Sequence, residues 1–444
     1  MKWETVKSFI LTALVGLSLL LTFGLWNYQP RVENVNSSDY EEQVDLGGLT
    51  ETKQSVIEPS NYIFHSNGTP YGFTNPLDER SLYQNMQNWV LYGLRFEEGN
   101  NPPVSDYQVE IVFPEALSME LADSLFTFSE EVNTPTWRFK RIYITFNRNN
   151  STLNVIFLSE DSNQKARATV NNSNKFDILW EYVTTFEGLS EYMRVDFIDE
   201  QPVYIPRHEM EITDLNMTIR SIAAIQLVDF LFPNPEIVSR NEVDSNEVYY
   251  TDDQRGMRVF QQWPSIVYEY PSQSEQSNLP VTEQQLIDWS LKNINEHKGW
   301  TDEYNLQDIN TVNHTIRYQM YHDGYPVYSG ANPSLSIIEQ QWQALERTQE
   351  LTQYSRPLFS KNNKVDPDKI TLQSGSEVVS YLQKSQQYNV ENISDIRIGY
   401  HLSLWEESPH VTQIYTMEPA WYIKNNGDWE KVSFSDPPIL KGAG

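Results

Sequence analysis

Hydrophobic and polar positions divide this chain into three regimes: one unbroken apolar run, a polar stretch without a period, and a long alternation of strand-like and helix-like segments. The run is SFILTALVGLSLLLTFGLWNYQ, Ser8 to Gln29, with no charged residue between Lys7 and Arg31. At about 1.5 Å per residue, Phe9 to Trp26 spans about 27 Å as a helix, close to the thickness of bilayer hydrocarbon. The Phe, Ile, Leu and Val side chains there each favour insertion by roughly 0.3 to 0.6 kcal/mol, outweighing Thr12, Ser18 and Thr22. The pattern predicts a transmembrane helix over residues 8–29. Lys2 and Lys7 precede it, whereas Asp39, Glu41, Glu42 and Asp45 follow it. This places residues 1–7 in the cytoplasm and the remainder outside. Trp3, Trp26 and Tyr28 fall where aromatic side chains anchor at the two interfaces. No Ala-x-Ala pattern follows the run, which favours a retained anchor over a cleaved signal peptide.

Residues 30–60 are polar and aperiodic and read as a tether. Beyond them the periods alternate. Leu77 to Leu94 has helical spacing, Tyr107 to Phe113 alternates as a strand, and Leu117, Leu121 and Leu125 repeat as a helix stripe. Trp137–Phe146 and Leu153–Leu158 flank the turn Asn147–Asn150 as a hairpin, which Gln164–Val170 extends. A first α+β unit, residues 61–172, results. The second, residues 173–271, opens with a helix bearing Phe176, Leu179, Trp180, Val183 and Phe186. A short strand Pro202–Ile205 follows, then an apolar helix or strand Ile219–Phe232 stopped by Pro233. Val248–Thr251 and Met257–Phe260 form a hairpin across Asp252 to Gly256, with Ile266–Tyr270 paired next.

Residues 272–280 read as a linker, and 281–444 as a third unit. Thr282 and Gln285 form a capping box opening a helix to His297. Strands are expected at Thr311–Tyr321, Pro326–Tyr328 and Ile393–Leu404, with a helix at Ser376–Tyr388 and a terminal hairpin through Asn425 to Asp428. Residues 334–354 fit a hairpin or a helix equally. The second and third units share an order of helix, Pro-Val-Tyr strand and terminal hairpin, a weak sign of duplication. The fold class is α+β, one N-terminal membrane helix followed by mixed helices and antiparallel sheets.

Composition sharpens the picture in two ways. With 61 Asp and Glu against 32 Lys and Arg, the formal charge is −29, which repels nucleic acid and anionic headgroups. The chain has no Cys, so an exported chain of this kind folds without disulfides, as suits the exterior of a Gram-positive bacterium.

Catalytic chemistry has little to stand on. His208-Glu209-Met210-Glu211 lacks the second His of a zinc-protease helix, and His297, His314 and His322 fall on separate elements. Asp252-Asp253 beside Arg255 fits the backbone-bonding needs of a hairpin turn better than an acid/base pair. No catalytic or metal residue and no cofactor is therefore assigned. In the anchor, Ser8, Thr12, Gly16 and Gly24 recur at multiples of four and form a small-residue face where a second helix can approach closely.

These features resemble the YycH family. The opening MKWETVKSFILTALVGLSLLLTFGLWNYQP looks like the start of its members. Leu231-Phe232-Pro233-Asn234-Pro235 with Tyr250-Thr251-Asp252-Asp253-Gln254-Arg255-Gly256-Met257 is similar to the family's middle-domain signature. Gly324-Tyr325-Pro326-Val327-Tyr328 resembles its C-terminal domain and the related YycI family. Tyr250, Thr251, Asp252 and Gly256 carry the signature turn, and Asp253 stands where Gly is expected. The resemblance implies a non-enzymatic membrane protein of low-GC Gram-positive bacteria that works with YycI on the sensor kinase WalK (YycG) and so on cell-wall homeostasis. Two other classes fit the residues: an extracytoplasmic ligand-binding surface protein, and an exported wall enzyme with Asp252 or His208 in a pocket.

Overall fold

The computed structural model describes Trp3 and residues 44–130, 134–198, 201–271, 279–330, 332–346, 348–404 and 414–434. The expected membrane helix 8–29, tether residues 30–43 and linker residues 272–278 lie outside the described residues. Among the described residues no helix is long and apolar enough to cross a membrane. Helices and mainly antiparallel sheets are mixed as an α+β fold requires, with parallel pairing of residues 90–91 with 127–128 and of 327–328 with 400–401, and strand predominating over helix.

The first half of the fold comprises α1 (Lys53–Val56), β1 (Asn61–Ser66), β2 (Thr69–Phe73), α2 (Pro76–Gln87), β3 (Val90–Glu98), β4 (Tyr107–Ser118), α3 (Met119–Leu125), β5 (Thr127–Phe128), β6 (Arg138–Asn147), β7 (Thr152–Ser159), β8 (Gln164–Val170), α4 (Ser173–Thr185), β9 (Leu189–Arg194) and β10 (Tyr204–Pro206). Its strands form one sheet in the order β10-β9-β2-β1-β4-β6-β7-β8-β3-β5. Alternation makes the β6–β7 hairpin: Ile142 and Ile144 are buried against Val155 and Phe157, and the Asn147 side chain accepts from Asn149 N at 3.3 Å to close the turn. α2 starts at the Asn75 cap, with Pro76 at its first position. The helix ends at Gln87, so Val90 to Leu94, read as helical from spacing, belong to β3. Pairing with β8, beginning at Tyr92 opposite Thr169, overrides the local period there.

The segment 173–206 was expected in the second unit, yet it completes this first sheet. α4 lays Phe176, Leu179 and Val183 inward, and its Tyr182 ring lies 5.2 Å from Phe64. β9 pairs with β2, and β10 with β9.

The second half comprises β11 (Met210–Ser221), α5 (Ala224–Leu231), β12 (Ser239–Glu242), β13 (Glu247–Thr251), β14 (Gly256–Phe260), β15 (Ser265–Glu269), α6 (Glu283–Glu296), β16 (Glu303–Asn310), β17 (Thr315–His322), β18 (Tyr325–Tyr328), β19 (Ile337–Ala344), β20 (Gln349–Pro357), β21 (Phe359–Leu372), α7 (Gly375–Lys384), β22 (Ile393–Leu404), β23 (Ile414–Asn425) and β24 (Asp428–Lys431). These form a second sheet, β12-β13-β14-β15-β20-β19-β17-β18-β22-β23-β11-β21, with β16 on β17 and β24 on β23. Strands on either side of the expected linker are hydrogen-bonded neighbours: β15 pairs with β20, and β11 with β21 and β23. The ambiguous 334–354 stretch is the β19–β20 hairpin. Ile219–Phe232 is neither one helix nor one strand; it is the end of β11 and all of α5.

Residues expected to be a loose tether through residue 60 are, from Val44 onward, folded against the body. Leu46 is buried, its N–H donates to His297 O at 3.0 Å, and Leu49 N donates to Trp300 O at 2.9 Å. Asn295 both donates to Glu51 O and accepts from Glu51 N, each at 2.9 Å. Apolar residues account for the difference: Leu46, Val56 and Ile57 are too sparse to show a period yet bury almost completely.

Candidate functional site

The two sheets meet around a cavity of about 120 Å³, lined from the first sheet by α2, β4, β6 and the 201–206 segment, and from the second by the Tyr321–Pro326 turn and Ser394–Ile398 of β22. Both Pro-Val-Tyr segments of the sequence, at 202–204 and 326–328, contribute residues to this cleft.

The first-sheet wall is built on a buried carboxylate. Glu110 accepts from His65 Nε2 at 3.0 Å and is paired with Arg141, whose Nη2 donates to Pro202 O at 2.8 Å. Burial would raise the Glu110 carboxyl, but the His65 hydrogen bond and the Arg141 charge outweigh it and hold the group below its ordinary value. Arg141 thereby fixes the 201–206 segment over the cavity. On the opposite wall Asp395 pairs with Arg397, whose guanidinium lies 4.0 Å from the Trp429 ring centroid.

Gly324 closes one end. Asp323 and Gly324 have φ of +47 and +80, the two left-handed residues of a tight turn between β17 and β18. That turn abuts α2, where a Cβ on Gly324 would lie 2.5 Å from Pro76 Cβ.

Two further cleft side chains are charged and half-buried: Glu79 on α2 and Lys140 on β6. Burial raises the Glu79 carboxyl well above its ordinary value, and burial lowers the Lys140 ammonium against the pull of Asp395. Sequence reading singled out none of these groups, because the lining residues lie between positions 60 and 398. The repeated Pro-Val-Tyr and the family-like segment from Gly324 to Tyr328 are the sequence signals that fall at this place.

The residues singled out from sequence sit elsewhere. Ser8, Thr12, Gly16 and Gly24 lie outside the described residues. Tyr250, Thr251, Asp252 and Gly256 come together in the β13–β14 hairpin, and none of them lines the cleft. Asp252 accepts from Gln254 N at 3.0 Å, Arg255 N at 2.7 Å and Arg255 Nη1 at 3.0 Å, so its carboxylate is committed to the turn. Asp253 has φ +70, the left-handed conformation that explains why Gly is expected there. His208 is exposed, 4.0 Å from Glu191, and also outside the cleft. Among the described residues no three His, Asp or Glu side chains converge in a metal-binding group.

Comparison with known proteins follows the same two-part division. The family model described as "YycH protein, N-terminal domain" matches residues 4–188, and "YycH protein, C-terminal domain" matches residues 200–438. The chain belongs to the YycH family. A similar protein is the "Two-component system WalR/WalK regulatory protein YycH" of Bacillus subtilis (strain 168), 22% identical over 450 residues that cover 96% of each chain. The crystal structure of YycH from Bacillus subtilis has TM-score 0.72 at 19% identity, covering 88% of this chain and 100% of that one. At that identity the likeness is one of fold. The YycH N-terminal match ends near β9, and the break between the two sheets falls shortly after it, between Pro206 and Met210.

Proposed function

We propose that this chain is a non-enzymatic, single-pass membrane regulator of a WalK-type sensor kinase, acting beside a YycI-type partner to tune cell-wall homeostasis. The observation that carries the reading is end-to-end similarity to a WalR/WalK regulatory protein, covering 96% of both chains. Membrane anchoring through residues 8–29 draws on their length and apolarity and on the family match that begins at residue 4. In this reading the N-terminus is cytoplasmic, the lipid bilayer holds the helix, and the face of Ser8, Thr12, Gly16 and Gly24 packs against the kinase's membrane helices.

Residues 44–57, downstream of the expected anchor, are fixed to the second sheet at His297 and Trp300, while Lys53 of α1 meets Asp288 at 2.7 Å. The wall-enzyme alternative loses its candidates, since neither Asp252 nor His208 reaches the cleft. The ligand-binding alternative keeps one specific observation, the cleft itself.

Exchange of residues 8–29 for an unrelated membrane helix tests the proposal. Kinase-dependent transcription is expected to lose its response to this chain although the chain stays in the membrane. Full retention of the response would overturn the helix-packing role.

A further inference from the structure

The cleft contains an amine and a carboxyl that the fold leaves unpartnered. Among the described residues neither Lys140 Nζ nor the Glu79 carboxylate has a hydrogen-bond or ion-pair partner. Lys140 is delivered there by a backbone irregularity. Phe139 faces Ser159 and Arg141 faces Leu158, so Lys140 is the extra residue of a β-bulge. Successive strand residues ordinarily point to opposite faces, and here the bulge lets both Lys140 and Arg141 line one cavity. Arg141 is committed to Glu110 and Pro202 O, and Lys140 is left free.

The two side chains have different neighbours. The groups acting on Lys140 are Asp395, Glu115, Glu160 and Lys424, whereas Glu79 acts on the phenols of Tyr62, Tyr192 and Tyr325. Phe73, Tyr192 and Tyr325 supply apolar wall. At roughly 10 to 15 Å³ for each water-sized unit, about 120 Å³ admits on the order of ten non-hydrogen atoms. An unpaired charge in such a place is unfavourable, and a ligand bringing the opposite charge to each of the two side chains removes both penalties.

We infer that the cleft binds a small zwitterion of the amino-acid or dipeptide class, with its carboxylate on Lys140, its ammonium on Glu79 and its body against Phe73, Tyr192 and Tyr325. Burial depresses the Lys140 ammonium and raises the Glu79 carboxyl, and a bound zwitterion reverses both. Such a ligand touches both sheets, so its binding favours one arrangement of the two. The assignment goes beyond kinase regulation and does not depend on it.

Isothermal titration of the full chain in detergent with L-alanyl-L-alanine tests the site. Lys140→Met and Glu79→Gln are each expected to weaken binding by about tenfold or more, as loss of one charge-assisted contact does. On the unaltered protein, the C-terminal amide of the dipeptide should weaken like Lys140→Met and its N-acetyl derivative like Glu79→Gln. These ligand variants keep the test decisive if a substituted protein fails to fold. Absence of binding up to about 10 mM by alanylalanine and by L-leucine alike, well beyond ordinary recognition, would overturn the site. Binding indifferent to Lys140→Met and Glu79→Gln places the ligand elsewhere and also overturns it. Tolerance of N-acetylation reduces the ligand to a simple carboxylate and overturns the zwitterion.

Discussion

At Gly324 one absent β-carbon decides how closely the two sheets approach. Its φ of +80 strains any L side chain, and an added Cβ meets Pro76 of the other sheet at 2.5 Å. Asn relaxes the backbone term but not the contact. Gly324→Ala is therefore expected to lower stability by about 2 kcal/mol or more, and Gly324→Asn by less but not to zero, as read from denaturation midpoints. Asp252 is a second such position: Asp252→Ala leaves Gln254 N and Arg255 without their acceptor and should destabilise by about 1 to 3 kcal/mol, whereas Asp253→Gly, which relieves a left-handed φ, should be neutral or stabilising.

Titration of two buried residues beside the 44–49 strap gives opposing pH effects. Burial, helped by the Arg356 charge, lowers His297 from its ordinary 6.5 to about 3. Between those values the unfolded chain holds the extra proton, so this residue removes stability as pH falls. Burial raises Asp302 from 3.8 to about 6, against the pull of Lys361. There the folded chain holds the extra proton, and stability grows as pH falls from 6 to 3.8. Relative to the parent protein, His297→Gln should make stability rise more as pH falls from 6 to 4, and Asp302→Asn should make it fall more. Each single-proton slope approaches about 1.4 kcal/mol per pH unit. Equal slopes in parent and variants, measured by denaturant titration at each pH, would refute the assignment.

At the scale of elements, what was legible followed from local chemistry. Thr282 caps α6 and Gln285 returns the bond to Thr282 N, so four residues specify the helix start. β22 shows its alternation openly from Ile393 to Leu404. β16 was hidden because its bulge between Leu306 and Asp308 breaks the alternation of Tyr304, Leu306 and Ile309. β21 was hidden because Lys361, Asn362, Asn363, Lys364, Asp368 and Lys369 carry no apolar period. Its pairing with β11, from Phe359 opposite Ser221 to Leu372 opposite Met210, makes the strand. The strap is a similar case, since its stability lies in a partner far along the chain. A Cβ on Gly48 would meet Trp300 O at 2.4 Å. Gly48→Ala is thus expected to release the strap, seen as faster amide exchange at Leu46, Gly48 and Leu49 while β22 and β23 keep their protection.

For the whole molecule, the cleft and the joint between sheets were illegible for one reason: both are made by residues brought together from distant positions. The repeated Pro-Val-Tyr and the Gly324-to-Tyr328 segment fall there, but neither pattern by itself implies a cleft. Polar contacts cross the joint on more than one side. Glu283, at the start of α6, accepts from Ser118 N at 2.8 Å and is ion-paired with Arg138 Nε at 2.8 Å, and so ties the second sheet's helix to β4 and β6. On the other side Arg80 of α2 meets Glu58 at 3.0 Å and is also paired with Glu303 of β16. Glu283→Ala leaves a nearly buried donor, Ser118 N, without an acceptor and Arg138 without its closest carboxylate, a loss of about 1 to 3 kcal/mol concentrated at the joint. One buried apolar cluster runs through both sheets, and each keeps its own hydrogen-bonded ladder, so neither should unfold. The connector Arg207 to Glu209 is exposed and is the one covalent link between the sheets. Trypsin should therefore cut Glu283→Ala at Arg207 faster than the parent while strand amides in both sheets exchange at unchanged rates. If strand protection in either sheet falls with the cleavage, Glu283 supports a fold rather than a joint.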